Sequence, residues 1–354
     1  MKVKKLYTKG FRNLLPSETE FLEGINIIHG NNAQGKTNLI EAIWLFTGAK
    51  SFRGSKDDEM VSFGFDKAEL RLDFVSGGID REAKIFISKR RTAELDTKKL
   101  RSASALAGTF CATVFSPADL QTVKEGPSHR RRFLDLAIGQ LYPAYVDILK
   151  QYVRAVTQRN TLLKSLEGKL QSTDMLDVFE NEIVALGLKI IDYRIKYCAL
   201  LTENASGIYN ELSSLRETLT AEYLPSVKPE DMAEKLFLAR KTDIFSGITS
   251  VGPHRDDLDF KINGISARTF GSQGQQRSVA LSLKLAEAKT LKKITGEQPV
   301  AILDDVMSEL DPKRQSYILN HIKDWQVFIT TPDPQNLTLL KEGKVFTLEG
   351  GIIK

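Results

Sequence analysis

Cysteine is scarce in this chain, and its placement excludes two kinds of stabilised fold. The 354 residues contain two cysteines, Cys111 and Cys198, with no Cys-x-x-Cys pair and only four histidines. This spacing provides neither a disulfide framework nor a structural zinc site. We therefore expect both thiols to be reduced and buried.

Long apolar runs are also missing. No window approaches the roughly 18 uninterrupted apolar residues of a membrane span, and the initial MKVKK lacks the apolar segment of a secretory signal. The sequence therefore predicts no membrane association and a cytoplasmic location. The formal net charge of +5 is compatible with nucleic-acid binding but does not establish it.

The composition that is present belongs to a folded chain. Hydrophobic residues make up 42% and charged residues 27%, which is too apolar for general disorder. The length exceeds that at which single cores stop growing, so we expect one large domain with an insertion, or two domains. Alternating patterns predict hairpins at Ser76-Gly77-Gly78 and at Asn263-Gly264. Apolar runs predict further strands at residues 24–29, 112–115, 300–303, 326–329 and 345–348.

The middle of the chain has a helical period. Its clearest apolar stripe places seven side chains on one helix face: Phe179, Ile183, Leu186, Ile190, Tyr193, Tyr197 and Leu201. The stripe is too short for a long coiled-coil arm. We therefore expect an α/β head formed by residues 1–120 and 245–354, interrupted by a helical arm at residues 121–244.

A phosphate-binding motif follows the first apolar run. Residues 30–37 read GNNAQGKT, the G-x-x-x-x-G-K-[ST] pattern, between a strand and a helix-compatible segment. Such a loop surrounds phosphate oxygens with backbone N–H groups at a helix N-terminus, which predicts a site for nucleotide phosphates. Lys36 is predicted to contact the β and γ phosphates, and Thr37 to offer its hydroxyl to Mg²⁺. The predicted nucleotide-binding residues of this segment are Gly30, Asn31, Asn32, Ala33, Gln34, Gly35, Lys36, Thr37 and Asn38.

A second apolar run, VAIL, ends in Asp304 and Asp305. A buried parallel strand presents such carboxylates at its C-terminal end, where ligands collect in open α/β sheets. Asp304 is predicted on the magnesium side of the site. Asp305 is predicted to act as the base, or to position the water, for attack on the γ phosphate.

Residues 269–278, TFGSQGQQRS, resemble a degenerate form of the LSGGQ signature of ABC-type ATPases, with Ser272, Gly274 and Gln275 in register. The resemblance implies that this segment binds the γ phosphate of an ATP molecule held by a second copy of the chain. ATP would then join two heads into a homodimer. Residues 308–311, SELD, resemble the D-loop of the same class.

The same resemblance bears on catalysis. Asp305 stands where ABC-type ATPases usually carry a glutamate, and it is one methylene shorter, so we expect slow hydrolysis. Lys36, Asp305 and Ser272 are the predicted catalytic residues. Arg12, in the segment GFRN, resembles a position from which related ATPases contact the nucleotide.

Along nearly its full length the chain resembles the RecF family. The segments that carry this resemblance include GNNAQGKTNLIEAIWLFTGAKSFR, VFSPADL, RRRFLD, QRNTLLK, VGPHRDDL and LDDVMSELD. The resemblance implies the α/β class, with an ABC-type P-loop ATPase head, a mixed sheet and an inserted helical arm. It also implies a weak, DNA-stimulated ATPase that acts as a switch.

The RecF resemblance implies partners as well. These are single-strand and double-strand DNA at gaps or junctions, a second copy of the chain, and RecR and RecO, with which such proteins support RecA loading in DNA repair, replication and the SOS response. Clusters of basic residues are the candidate DNA phosphate contacts. The named candidates are Arg90, Arg91, Arg130, Arg131 and Arg132.

Three segments stay without a role. ABC-type ATPases usually carry a switch histidine after the strand at residues 326–329, where this chain has Thr330, Thr331 and Asp333. No clear Q-loop glutamine follows the strand ATVF, where Ser116 and Pro117 stand. The segment VGPHRDDL is compatible with an internal ion-pair network or with nucleotide sensing.

Two other functional classes agree less well with the sequence. A GTPase would need an Asn-Lys-x-Asp motif, but no asparagine here is followed by lysine, and a metabolic kinase would not need the signature-like segment or SELD. The ATPase subunit of a transporter would be expected to carry the switch histidine. It would also need a coupling surface for membrane helices, and it leaves the helical arm unexplained.

Overall fold

The computed structural model describes residues 1–166, 174–332 and 343–354. In this part of the chain the strands are β1 (Lys2–Lys9), β2 (Ser17–Glu20), β3 (Ile25–His29), β4 (Ala68–Ser76), β5 (Ile79–Ile87), β6 (Arg91–Leu95), β7 (Lys98–Lys99), β8 (Ala112–Phe115), β9 (Leu219–Leu224), β10 (Asp257–Ile262), β11 (Ile265–Ser266), β12 (Val300–Asp304), β13 (Val327–Thr331), β14 (Lys344–Glu349) and β15 (Ile352–Ile353). The helices are α1 (Lys36–Trp44), α2 (Leu120–Lys124), α3 (Pro127–Gly139), α4 (Pro143–Ser165), α5 (Asp174–Leu212), α6 (Met232–Leu238), α7 (Arg240–Ser246), α8 (Ala267–Phe270), α9 (Gln273–Thr295) and α10 (Pro312–Ile322).

A mostly parallel sheet forms the centre of the head. Its strand order is β15-β14-β3-β13-β12-β8, and only the pairing of β15 is antiparallel. Neighbouring side chains on one strand enter two different cores: Ile27 belongs to the core that includes residues of α5 and α9, whereas Ile28 belongs to the core that includes residues of α1 and β4. Both faces of the sheet are therefore covered, which explains why its strands read as continuous apolar runs.

The predicted hairpins are confirmed. Strands β4 and β5 pair antiparallel up to Ser76 and Ile79, and the two residues between them, Gly77 and Gly78, have φ values of 61° and 73°. This left-handed pair suits a two-residue turn whose twist matches its strands. The hairpin belongs to an antiparallel sheet with the order β2-β1-β4-β5-β6-β7. Asn263 and Gly264 form the equivalent left-handed turn between β10 and β11.

The middle of the chain is largely helical, with one strand that the sequence reading missed. The predicted stripe lies on α5, where Ile183, Leu186, Ile190, Tyr197 and Leu201 are buried. Strand β9 lies inside the segment predicted as a helical arm, and it pairs antiparallel with β10 of the head. Arm and head therefore share a three-stranded sheet, although the domain boundaries themselves stay a prediction.

The two cysteines are free and buried, as predicted. In the described part of the chain, none of the helices combines the length and apolar character needed to cross a bilayer.

Candidate functional site

The loop between β3 and α1 requires glycine at two positions. Gly30 has φ 152°, and a Cβ atom there would lie 2.3 Å from the Leu348 carbonyl oxygen. Gly35, with φ 113°, precedes the first turn of α1, and its Cβ atom would lie 2.7 Å from Asn13 Oδ1. Any other side chain would therefore clash at both positions, so both require glycine. Because glycine has no side chain, the backbone there can approach a ligand closely. This is the cradle that the GNNAQGKT motif predicts.

Lys36 lies inside this cradle. Its Nζ donates to the carbonyl oxygens of Gly30, at 2.6 Å, and Asn31, at 3.0 Å. Burial lowers the pKa of Lys36, while the carboxylates of Asp305 and Asp304 act in the opposite direction. The loop thus holds a cation among its own carbonyl groups, where a phosphate group would offer that cation a stronger acceptor.

Side chains around the loop fix its shape. Asn13 Nδ2 donates to the Ala33 carbonyl oxygen at 3.1 Å, and Asn38 Nδ2 donates to Asn13 Oδ1 at 2.7 Å. Gln34 Oε1 accepts from the Gly350 N–H at 2.5 Å. The predicted loop residues are therefore tied to the start and to the end of the chain.

Arg12 lies beside α1, in an ion pair that the sequence reading did not identify. Its Nη2 is 2.9 Å from Glu41 Oε2 and 2.7 Å from Ser55 Oγ. Glu41 is fully buried one turn beyond Thr37 on α1, and Ser51 also donates to it. Glu41 thus holds Arg12 close to the phosphate loop, and contact of Arg12 with the nucleotide stays a prediction.

The acidic end of β12 meets the loop directly. Thr37 Oγ1 donates to Asp304 Oδ1 at 3.0 Å, and Thr330 Oγ1 of β13 donates to the same oxygen at 2.8 Å. Burial raises the pKa of Asp304, which these two hydroxyl donors partly oppose. The structure therefore brings together Thr37 and Asp304, the two predicted metal-side residues, although they are 267 positions apart in the chain.

Asp305 is held in an unusual conformation. Its φ is 53°, in the left-handed region, and its N–H donates to Thr330 Oγ1 at 3.0 Å. Its Oδ1 is buried and has no hydrogen-bond partner among the described residues. A buried carboxylate oxygen without a donor is costly, so this oxygen suits a water molecule or a phosphate-bound group as partner.

These observations fit ATP and Mg²⁺. The glycine cradle leaves room for phosphate, and Thr37 donates its proton to Asp304, so that its lone pairs remain for a cation. Within the described ranges, no group of three or more His, Cys, Asp or Glu side chains could hold a metal ion. A Mg²⁺ ion here would therefore complete its shell with phosphate oxygens and water, as this ion usually does.

The signature-like segment begins α9 at an exposed position. Ser272 caps the helix: its Oγ accepts from the Gln275 N–H at 3.2 Å, and Gln275 Oε1 accepts from the Ser272 N–H at 2.8 Å. Ser272 and Gln273 are exposed. Gln275 Nε2 also donates to Glu217 at 2.8 Å. The positive end of a long helix is therefore presented to solvent, which is the geometry of an anion site.

Arg314 joins this segment to the D-loop-like residues. Its Nη2 donates to the Gly274 carbonyl oxygen at 2.7 Å, and its Nη1 pairs with Asp311. Asp311 caps α10, and the neighbouring Ser308 and Glu309 are exposed. Sequence reasoning missed Arg314, although its place three residues after a capping Asp-Pro start was a usable signal.

The described residues of two segments that stayed open contain neither a switch histidine nor a Q-loop glutamine directly after the strand. Thr330 and Thr331 end β13 where a switch histidine was expected, and Asp333 lies outside the described residues. After β8, Ser116 begins a short turn and its N–H donates to Asp119 Oδ2 at 2.6 Å.

The prediction of three consecutive DNA-contacting arginines requires a correction. Arg130 is 3% exposed and its Nε lies 2.6 Å from Asp257 Oδ1, so it lacks the exposed guanidinium that a DNA phosphate needs. Arg131 donates to the Asp256 carbonyl oxygen at 2.7 Å. Arg132 donates to the carbonyl oxygens of Ser51 and Phe52.

The other two arginine candidates also differ from each other. Arg90 is exposed in the turn between β5 and β6, whereas Arg91 Nε lies 2.8 Å from Asp57 Oδ1. Arg90 is therefore the candidate whose charge is most available to DNA.

The segment VGPHRDDL is an internal ion-pair network. Asp256 is fully buried, accepts from the Ser226 N–H at 2.7 Å and lies 3.3 Å from Arg194 Nη1 of α5. His254 Nδ1 lies 2.6 Å from the Tyr152 hydroxyl. These contacts connect α4 and α5 to the start of β10, and so support the first of the two interpretations that the sequence left open.

Comparison with known proteins gives consistent matches over the whole chain. Residues 2–352 match the family model described as the RecF/RecN/SMC N terminal domain. A protein named DNA replication and repair protein RecF, from Clostridium acetobutylicum, is 41% identical over 362 residues, covering 100% of this chain and 99% of that protein. Its namesake from a Thermoanaerobacter species is 40% identical over 366 residues, with the same coverage.

Solved structures give the same result. One described as the recombination mediator protein RecF-ATPrS in the RecFOR pathway superposes with a TM-score of 0.92 at 36% identity, over 99% of this chain and 97% of that one. The corresponding RecF-ATP structure has a TM-score of 0.90 at 36% identity, over 100% and 97% of the two chains. An Smc head domain from Pyrococcus furiosus, at 15% identity and a TM-score of 0.53 over 100% and 95%, shares the fold.

Proposed function

Because the chain belongs to the RecF/RecN/SMC N-terminal domain family, we propose that it is an ATP-dependent DNA-binding protein of recombinational repair and replication. The printed names of its full-length relatives state replication and repair, and a solved relative is described with ATP. In this chain the proposal is supported by a glycine cradle, a lysine inside it, and a threonine and an aspartate joined across it.

Each of these residues has a task with bound ATP. Lys36 exchanges its loop carbonyl partners for phosphate oxygens, and the N–H groups at the start of α1 bind the same phosphates. Thr37 and Asp304 would hold Mg²⁺, because the hydrogen bond from Thr37 to Asp304 leaves the threonine oxygen free for a cation and places a carboxylate beside it. When bound, Mg²⁺ neutralises charge that develops on the phosphates.

Asp305 is the proposed base or water-positioning residue. Its Oδ1 has no partner in the part of the chain that the structure describes, so it is available to a water molecule, but its short side chain limits how far it reaches towards the γ phosphate. We therefore propose a weak ATPase, stimulated by DNA, in which hydrolysis ends a bound state.

The observation that carries the switch is the exposed start of α9. Ser272 and the first N–H groups of the helix can bind an anion by donating hydrogen bonds to it, yet this end of the helix faces solvent. In the proposal a second copy supplies that anion as the γ phosphate of its own ATP, so two heads enclose two nucleotides. ATP binding would thus drive homodimer formation on gapped or junction DNA, and hydrolysis would release it.

The proposed partners follow from the relatives. One solved relative is described as a recombination mediator in the RecFOR pathway, so RecO and RecR are the partners proposed here, in support of RecA loading. Family membership argues against the two rival classes, a transporter subunit and a metabolic kinase.

Sedimentation of the purified chain tests the switch. We expect a dimer with ATP, a monomer with ADP, and a shift of the ATP form to faster sedimentation with gapped DNA. Nucleotide-loaded protein that stays monomeric at every concentration, with and without DNA, would contradict the proposal.

Two substitutions separate binding from dimerisation. Lys36→Ala removes the loop cation and should weaken ATP binding by at least about a hundredfold, since charge-assisted bonds to phosphate are lost. Ser272→Ala should leave ATP binding by the monomer within about twofold and prevent ATP-dependent dimerisation. Titration with a fluorescent ATP analogue and sedimentation measure the two effects.

Neighbouring residues provide the matched controls. Lys50→Ala and Gln273→Ala alter exposed side chains close in sequence to the two test positions, and both should behave as the unmodified chain does. Equal loss of ATP binding in Lys36→Ala and Ser272→Ala would remove the role of Ser272 towards the second copy.

A further inference from the structure

We infer that Thr330 is a positioning residue that orients both carboxylates at the end of β12, an inference that rests on the proposed function. The sequence alone gives Thr330 no role, because it lies where ABC-type ATPases usually carry a switch histidine. In the structure its single hydroxyl group connects Asp304 to Asp305.

The Thr330 hydroxyl donates one hydrogen bond and accepts another. Its Oγ1 donates to Asp304 Oδ1 at 2.8 Å and accepts from the Asp305 N–H at 3.0 Å. Strand register explains the arrangement, because Asp304 and Thr330 are direct partners in the parallel pair of β12 and β13. The side chain is 1% exposed, so water does not readily replace either bond.

The bond to Asp304 affects the cation side of the site. Asp304 Oδ1 accepts from Thr330 and from Thr37 at once. The Thr330 bond fixes the carboxylate while the Thr37 proton points to it, so that the Thr37 lone pairs remain directed away from Asp304. Without the Thr330 hydroxyl, Asp304 Oδ1 loses one of these two donors, and the carboxylate and the Thr37 hydroxyl bonded to it are less firmly oriented.

The bond to Asp305 affects the hydrolytic side. Asp305 has φ 53°, a conformation that costs free energy for a residue other than glycine. The Thr330 hydroxyl accepts the Asp305 N–H and so stabilises that conformation, which sets the direction of a carboxylate whose Oδ1 has no partner within the described ranges. One hydroxyl group therefore couples the geometry of metal binding to the geometry of water positioning.

A hydroxyl is the group that both bonds require. It donates and accepts simultaneously, which serine can reproduce, whereas valine keeps nearly the same shape but does neither. Thr113 on β8, the other neighbour of β12, provides a matched control. It is also fully buried, and its hydroxyl has no hydrogen-bond partner among the described residues.

The test measures ATP affinity of the full-length chain in excess Mg²⁺ and in EDTA, together with kcat and KM for hydrolysis. For Thr330→Val we expect the strengthening of ATP binding by Mg²⁺ to fall about tenfold and kcat to fall about tenfold. Affinity in EDTA should stay within about twofold, since the loop itself is unchanged. Thr330→Ser and Thr113→Val should match the unmodified chain in all four quantities.

Each outcome decides the inference. Thr330→Val indistinguishable from Thr113→Val overturns it, and so does an equal loss of affinity in Mg²⁺ and in EDTA, which indicates a general structural role. Failure of the unmodified chain to bind ATP in either buffer overturns the proposed function instead.

A second pair of variants covers the case in which Thr330→Val does not fold. Thr330→Cys has nearly the volume of Thr330→Ser but only a weak hydrogen-bonding group. A smaller Mg²⁺ effect in the cysteine variant than in the serine variant supports the inference, and equal effects overturn it.

Discussion

Two individual residues, Cys111 and Cys198, provide a direct check on the packing. Burial raises the pKa of each thiol to about 12. Because the thiolate is the reactive form, at pH 8 each native thiol should react with a disulfide reagent about a thousandfold more slowly than an exposed thiol, and the rate should rise with pH. The absorbance of the thiol that the reagent releases measures this reaction rate.

The denatured chain serves as the control for this prediction. In urea both thiols should react at the rate of a free cysteine. Rapid reaction of either thiol in the native chain, without unfolding, would mean that its surroundings are open to solvent.

At the residue scale, the chemical roles of side chains were easier to predict from the sequence than the contacts that those side chains make. The phosphate loop was readable because its glycines and lysine have fixed spacing along the chain. The error at Arg130 has a geometric cause: residues 130–132 lie on α3, where successive side chains point about 100° apart. Three adjacent charges therefore cannot share one face, and the structure buries Arg130 while exposing Arg132.

The role of Thr330 was beyond sequence reasoning for a different reason. Its partners depend on the register between β12 and β13, and register is a property of the assembled sheet.

At the scale of elements, Arg194 shows what holds α5 to the head. Its guanidinium is 2% exposed and lies 2.8 Å from Asp135 Oδ1 and 2.7 Å from the Pro253 carbonyl oxygen, besides contacting Asp256. Arg194→Met leaves Asp256 buried without its counter-charge. We expect the free energy of unfolding to fall by about 3 to 5 kcal/mol, as measured by urea denaturation.

The same helix contains the control. Lys196 pairs with Asp192 one turn away, and both side chains are mostly exposed, so Lys196→Met should alter stability little because water screens exposed pairs. A similar effect of the two substitutions would show that the buried network does not stabilise the junction of arm and head.

Strand β9 shows the limit of pattern reading at this scale. Leu219, Ala221 and Tyr223 do alternate, but they follow about a hundred residues of helical periodicity. Their partner strand, β10, lies over thirty residues further along the chain. Short strands are recognised by their partners as much as by their own sequence, since pairing and burial decide strand formation.

At the scale of the whole molecule, Arg90 is the residue that we now expect to contact DNA. Because Arg90 is exposed in a turn between two strands, Arg90→Ala should weaken binding to gapped DNA. It should also reduce the slope of log affinity against log salt concentration by about 1, through one fewer released counterion. Fluorescence anisotropy at several salt concentrations measures both quantities.

An exposed cation on the arm gives the comparison for Arg90. Lys241→Ala, on α7, removes an equal charge. If both variants lower the slope equally, the effect reflects total charge, and no specific surface around Arg90 is involved.

The overall architecture was predictable because a sheet covered on both faces has a plain signature, runs of four or more apolar residues. The arm was also predictable, through the stripe on α5. Their connection was not, because it consists of the Arg194 network and the β9–β10 pairing, which join residues distant in sequence.

That shared pairing restricts how such a chain can be redesigned or diversify. Cutting out the insertion would strip one edge of β10 and leave its amide groups open to pairing with other molecules, which favours aggregation. Transplanting a foreign insertion would meet the same obstacle, unless the donor contributed a strand of compatible register.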